Sequence, residues 1–119
     1  MSHIAYGNHR FTAPALLGYW VLPSVPGVYA IRVINSTWGP FQYEPIYFGE
    51  TSNLRQQVDL SSHQAAWRWW KHASSRFGLY VSWLREDDGV KRLLLEEELI
   101  AQYLPTHNHS LREPSRAVI

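Results

Sequence analysis

The chain reads as short β-branched runs separated by turn residues, followed by one long amphipathic stretch. "VYAIRVI", Val28 to Ile34, has the composition of a strand, and Pro26-Gly27 punctuates its start. "NSTWGPFQY", Asn35 to Tyr43, carries Gly and Pro and reads as a loop. "EPIYFGE", Glu44 to Glu50, returns as a second strand, so the pair predicts an antiparallel hairpin. Thr51, Ser52 and Asn53 offer N-cap side chains ahead of Leu54 and Val58, whose i, i+4 spacing starts a helix. "AAWRWWKHA", Ala65 to Ala73, continues helical. Gly78 precedes a third strand, "LYVSWL", which ends in the turn Glu86-Asp87-Asp88-Gly89. A closing helix is expected from about Val90 to Leu104, stopped by Pro105. Residues 1–25 read as an irregular lead-in packed on the domain, 26–108 as the domain itself and 109–119 as a polar tail. The order ββαβα predicts an α+β fold, a small three-stranded, mainly antiparallel sheet flanked by helices.

Composition narrows the classes. A chain of 119 residues, 45% apolar with six Trp, has the material for a single core. With no Cys, disulfide frameworks, thiolate metal sites and cysteine nucleophiles are excluded together. No apolar run approaches the ~18 residues of a membrane span, and no basic-then-apolar leader opens the chain, so a cytoplasmic protein without membrane partners is expected. The net charge is +1, which leaves affinity for a polyanion to a local patch.

The closing helix carries chemistry. On a helical wheel, Leu93, Leu99, Ile100, Tyr103 and Leu104 define an apolar stripe whose centre falls within roughly 20° of Glu96, while Glu98 points to the opposite side. A carboxylate in such a stripe needs a partner. Two stay open here, a structural ion pair with Arg55 or Arg92, and a cation.

"GVY", Gly27 to Tyr29, and "YFG", Tyr47 to Gly49, on adjacent strands, resemble the paired motifs of the GIY-YIG nuclease family, each with one conservative apolar change. The likeness extends in order through "YFGET-NL" to "LLLEEELIAQYLPTHN" and spans Gly27 to Asn108. The resemblance implies a metal-dependent endonuclease acting on DNA. It makes Glu96 the ligand of one Mg²⁺ or Mn²⁺, with no organic cofactor. Tyr29 and Tyr47 become the hydroxyls that orient and help deprotonate the attacking water, and Asn108 closes the site by hydrogen bonding. The glycines are expected to free space beside the tyrosines. Ordinary cross-strand aromatic packing is the competing account of the tyrosine pair.

One position departs from the family. Eight residues after the second-motif glycine an arginine is usual, with a His or Tyr four residues on; here stand Gln57 and Ser61. Arg55 and His63 are the nearest substitutes, both out of helical phase. A missing guanidinium removes stabilisation of phosphate charge. Impaired or altered cleavage therefore competes with a catalytically inactive module that binds nucleic acid or protein. For either, Arg68 and Lys71 form a basic helix face beside an off-phase Trp69, and with Arg55 these are the expected nucleic-acid contacts.

Overall fold

A computed structural model describes residues 3–6, 8–16, 22–34, 43–58, 79–105 and 108. Along these the chain forms β1 (His3–Tyr6), β2 (His9–Thr12), β3 (Ala15–Leu16), β4 (Gly27–Ile34), β5 (Tyr43–Thr51), α1 (Leu54–Gln57), β6 (Leu79–Arg85) and α2 (Gly89–Tyr103). The "AAWRWWKHA" stretch, with Arg68, Trp69 and Lys71, lies outside the described residues, as do Ser61, His63 and the tail 109–119.

The main sheet has the order β3-β6-β4-β5, antiparallel throughout. Its β4, β5 and β6 are the three strands expected from the sequence, and β3 adds a fourth. The lead-in is the correction: residues expected to be irregular form β3 and a separate β1-β2 hairpin. The overlooked signal was Gly7-Asn8, a two-residue hairpin sequence between runs that bury Tyr6 and Phe11. Since both aromatics pack in the core, this segment is integral to the fold.

Because β4 lies between two strands and both sheet faces are covered, nearly all its side chains are buried. Tyr29, Ile31 and Val33 enter one core with Leu22, Leu54, Val58 and Val81. Val28 and Ala30 enter the other with Tyr6, Phe11, Phe48, Leu95 and Leu99. Arg32 falls on this second face and is 2% exposed. Its Nη1 donates to Ser82 Oγ at 3.2 Å, and the guanidinium lies 5.5 Å from the Tyr6 ring centroid. The β4-β5 register runs Tyr29 to Gly49 and Ile31 to Tyr47, then shifts so that Arg32 faces Pro45. Pro45 is tolerated because β5 is an outer strand and the irregularity lies beside it.

Helix ends follow their caps. Asn53 Oδ1 accepts from Gln56 N at 3.2 Å, and the amides of Leu54 and Arg55 donate to the carbonyls of Val25 and Pro23 at 2.9 and 3.2 Å. Asp88 Oδ1 caps α2 by accepting from Val90 N and Lys91 N at 2.9 and 3.1 Å. Leu104 closes it in the left-handed region at φ 48, ahead of Pro105. The buried arc of α2 is Leu95, Leu99 and Ile100. Leu93 and Leu104, expected in the stripe, are 51% and 69% exposed. The arc is turned toward Leu95, which meets the Phe48 side of the sheet. Glu96 stays inside it, half-buried between Leu99 and Ile100 around the helix. Among the described residues no helix is long and apolar enough to cross a membrane.

Candidate active site

Tyr29 and Gly49 face each other across β4 and β5. A Cβ built on Gly49 would fall on Cζ and Oη of Tyr29, closer than carbon atoms approach in real structures. The Tyr29 ring therefore leans over the Gly49 backbone, which carries its hydroxyl outward onto β5. Gly27 does a different job from the one expected. A Cβ there would meet the Leu84 carbonyl oxygen at 2.5 Å and Leu54 Cδ1 at 3.1 Å, so it clears neighbouring backbone and a core side chain rather than a tyrosine hydroxyl.

Several side chains converge on that hydroxyl. The Tyr47 ring lies 6.1 Å from the Tyr29 ring, tilted by 36°, and the two hydroxyls are hydrogen-bonded. Gln57, from α1, hydrogen-bonds the same oxygen, and the Glu96 carboxylate acts on it through space from α2. The Tyr29 hydroxyl is pushed well above its ordinary acidity range, first by burial, then by Tyr47 and Glu96, with the Gln57 bond opposing. Tyr29 is thus tied to Tyr47 on one side and to the Gln57 amide on the other. Tyr29 itself is 1% exposed, whereas Tyr47 is half-buried, so Tyr47 is the residue of the pair nearer solvent.

Asn108 anchors the strand beneath. Its Oδ1 accepts from Phe48 N at 2.5 Å and its Nδ2 donates to Phe48 O at 2.6 Å. Phe48 lies between Tyr47 and Gly49, so this buried amide holds the stretch that carries one tyrosine and makes room for the other. Asn108 thus acts here by positioning backbone.

Arg92, one of the two arginines considered for Glu96, has other partners. Its Nε donates to Glu50 Oε1 at 3.0 Å and its Nη1 to the carbonyls of Glu86 and Asp87 at 3.0 and 3.1 Å. It ties α2 to the end of β5, a link the sequence pattern did not reveal because Arg92 and Glu50 are far apart in the chain. The other, Arg55, is exposed on α1 and makes no ion pair among the described residues. It is two residues from Gln57, which on a helix turns it away by about 200°. Glu98 meets His9 Nε2 at 3.2 Å on the far side of α2 from this cluster.

The arrangement is two phenols, an amide and a carboxylate at the outer strand, drawn from both layers covering the sheet. Among the described residues no three His, Cys, Asp or Glu side chains gather as a ligand set. A metal here would have Glu96 as its protein carboxylate and draw its other ligands from water and substrate, which suits Mg²⁺ and its retained hydration.

This is the GIY-YIG fold. The solved structures with which it superposes include the GIY-YIG N-terminal endonuclease domain of UvrC from Thermotoga maritima bound to magnesium, its catalytic divalent cation. That match has a TM-score of 0.51 at 23% identity over 71% of this chain and 84% of that one. Point mutants of the same domain, one with a tyrosine changed to phenylalanine and one with an asparagine changed to alanine, both bound to the catalytic divalent cation, match at a TM-score of 0.51. Their identities are 23% and 22%, over 71% of this chain and 83% of theirs. No protein-family model matches the chain, and no curated protein sequence does.

Proposed function

We propose that the chain is an endonuclease domain that hydrolyses DNA phosphodiester bonds with one divalent cation, Mg²⁺ or Mn²⁺, held at Glu96. The observation that supports this is the convergence of Tyr47, Gln57 and Glu96 on the Tyr29 hydroxyl. The cation, when bound, supplies charge against the phosphate and the leaving oxygen. The side chains do the rest. Tyr47, nearer solvent, orients the attacking water as hydrogen-bond partner, and Tyr29 fixes the Tyr47 hydroxyl from behind. Gln57 stands in for the guanidinium of related nucleases with a neutral amide, which can donate a hydrogen bond but adds no positive charge. Arg55, with the basic face of Arg68 and Lys71 and the indole of Trp69, supplies contacts to the DNA backbone and bases.

Losing one preorganised charge-stabilising group lowers rate by ~10²–10³, so slow cleavage is the expectation. Nicking of supercoiled plasmid with Mg²⁺ or Mn²⁺, beside a Glu96→Ala control, tests it. Metal-dependent nicking that the control lacks supports the reading, and equal traces in both overturn it. The same Gln57 favours a second reading, a catalytically inactive module of this fold that binds nucleic acid or protein, because the amide satisfies Tyr29 without any substrate.

A further inference from the structure

The sheet face that carries Tyr29 also carries a cavity. Its volume is about 200 Å³, and its walls include Thr12, Ala13, Leu22, Pro23, Val81 and Trp83. Trp83 stands on β6 directly opposite Tyr29, and both pack on the same core. Since β5 and β6 flank β4, the cavity and the hydroxyls over Gly49 are separated by two interstrand spacings, about 10 Å. Between them lies the start of α1, where Arg55 N donates to the carbonyl of Pro23, a wall residue, and Gln57 reaches Tyr29.

The walls choose the occupant. Among the described residues none that lines the cavity is charged, which suits a ligand whose entering part is neutral. An apolar cavity of 150 Å³ is known to admit benzene, so this one has room for a heteroaromatic ring. Thr12 Oγ1 accepts from Trp83 N at 3.0 Å, which leaves its O–H able to donate to a ring nitrogen or carbonyl. A nucleotide splits in just this way, into a neutral flat base and a charged phosphate, and Arg55, exposed on the first turn of α1 with its backbone N bonded to the wall residue Pro23, sets a cation on the element next to the cavity.

We propose that this cavity binds one unpaired nucleobase of a DNA strand against Trp83, with Arg55 on the adjoining phosphate, so that a neighbouring phosphodiester reaches Tyr47 and Glu96. This rests on the nuclease reading and adds a substrate class: DNA with a single-stranded or extruded nucleotide beside the cut, since a base stacked within a duplex cannot enter. Arg55 then serves binding in place of the chemistry its neighbour Gln57 no longer supports.

The test is fluorescence anisotropy of a short labelled DNA single strand against a strand of equal length with abasic sugars, using full-length Glu96→Gln protein so that cleavage does not intervene. Base stacking predicts a preference of about tenfold for the strand with bases. Trp83→Phe should keep that preference, whereas Trp83→Leu and the cavity-filling Ala13→Leu should abolish it while binding of the abasic strand persists. Arg55→Ala should weaken both strands alike and flatten the salt dependence. Equal affinity for the two strands in the starting protein overturns the proposal, as does a preference that survives Ala13→Leu. Parallel plasmid nicking by the unmodified protein separates the two ideas: nicking with equal strand affinity removes the cavity alone, and a base preference without nicking supports the cavity while removing the nuclease. Failure to bind either strand removes the cavity proposal, and nicking then decides the nuclease reading by itself.

Discussion

The ring of Tyr29 occupies the space that any side chain at Gly49 would need, and the two residues are direct partners across the β4-β5 ladder. Gly49→Ala should therefore destabilise the protein by about 1–3 kcal/mol, the usual range for overpacking a filled site. Urea unfolding of Gly49→Ala, Tyr29→Leu and the double variant checks the cause. The double variant should be less destabilised than the sum of the singles, because removing the ring removes the collision. Strict additivity would place the effect elsewhere.

Gln57→Arg should raise Mg²⁺-dependent nicking by roughly 10²-fold, since it returns a guanidinium to the side of α1 that touches the Tyr29 hydroxyl. Arg55→Ala in that background should leave the single-turnover cleavage rate at saturating protein within about twofold. If Arg55 instead supplies the missing charge, Arg55→Ala alone will abolish native cleavage, and the two results are mutually exclusive.

Asn108→Ala should cost about 1–3 kcal/mol, because the amide of Phe48 and its carbonyl lose a buried two-point partner. Asn108→Asp removes only the donor and sets a carboxylate against the Phe48 carbonyl, so it should recover little. Hydrogen exchange at the Phe48 amide is the local readout, and it should speed up in both variants.

Alkaline pH offers an independent measure of the second core. Tyr6 is buried and its hydroxyl has no hydrogen-bond partner among the described residues; burial raises its acidity range far above the ordinary 10.0, and Arg32 offsets this only in part. Below pH 10 folded and unfolded chains both keep the proton, and Tyr6 contributes no slope. Above it the unfolded chain binds fewer protons than the folded one, so stability falls as pH rises, at up to ~1.4 kcal/mol per pH unit for one group. Denaturant unfolding between about pH 9 and 11.5 should show this decline, and Tyr6→Phe should remove about one proton's worth of slope.

What the sequence revealed depended on how local each cause was. The β4-β5 hairpin and α2 were legible because period-two and helical patterns, with Asp88 and Pro105 as punctuation, are written in consecutive residues. The Tyr29, Tyr47 and Glu96 positions were legible through motif order. The clash behind Gly49 was not, because it depends on which residue stands opposite in the ladder. Arg32 carried a readable signal, since it shares the face of Val28 and Ala30 by simple alternation. The Arg92 and Glu50 tie joins a helix to a strand end 42 residues earlier, and no local pattern encodes it.

Among the described residues β5 is a nine-residue outer strand, and such an edge is an invitation to another chain that sheets usually refuse with a covering helix, a charge or a bulge. Under the proposed function β5 has to leave Tyr47 open, and a helix laid along its rim would cover it. Asn108 resolves the conflict with a single primary amide that imitates one rung of an absent neighbour at Phe48. The irregular register at Pro45 spoils another stretch of the rim. The residue that steadies the tyrosine-bearing strand thus also occupies one rung of its edge, a rung that Asn108→Ala would leave open to another chain.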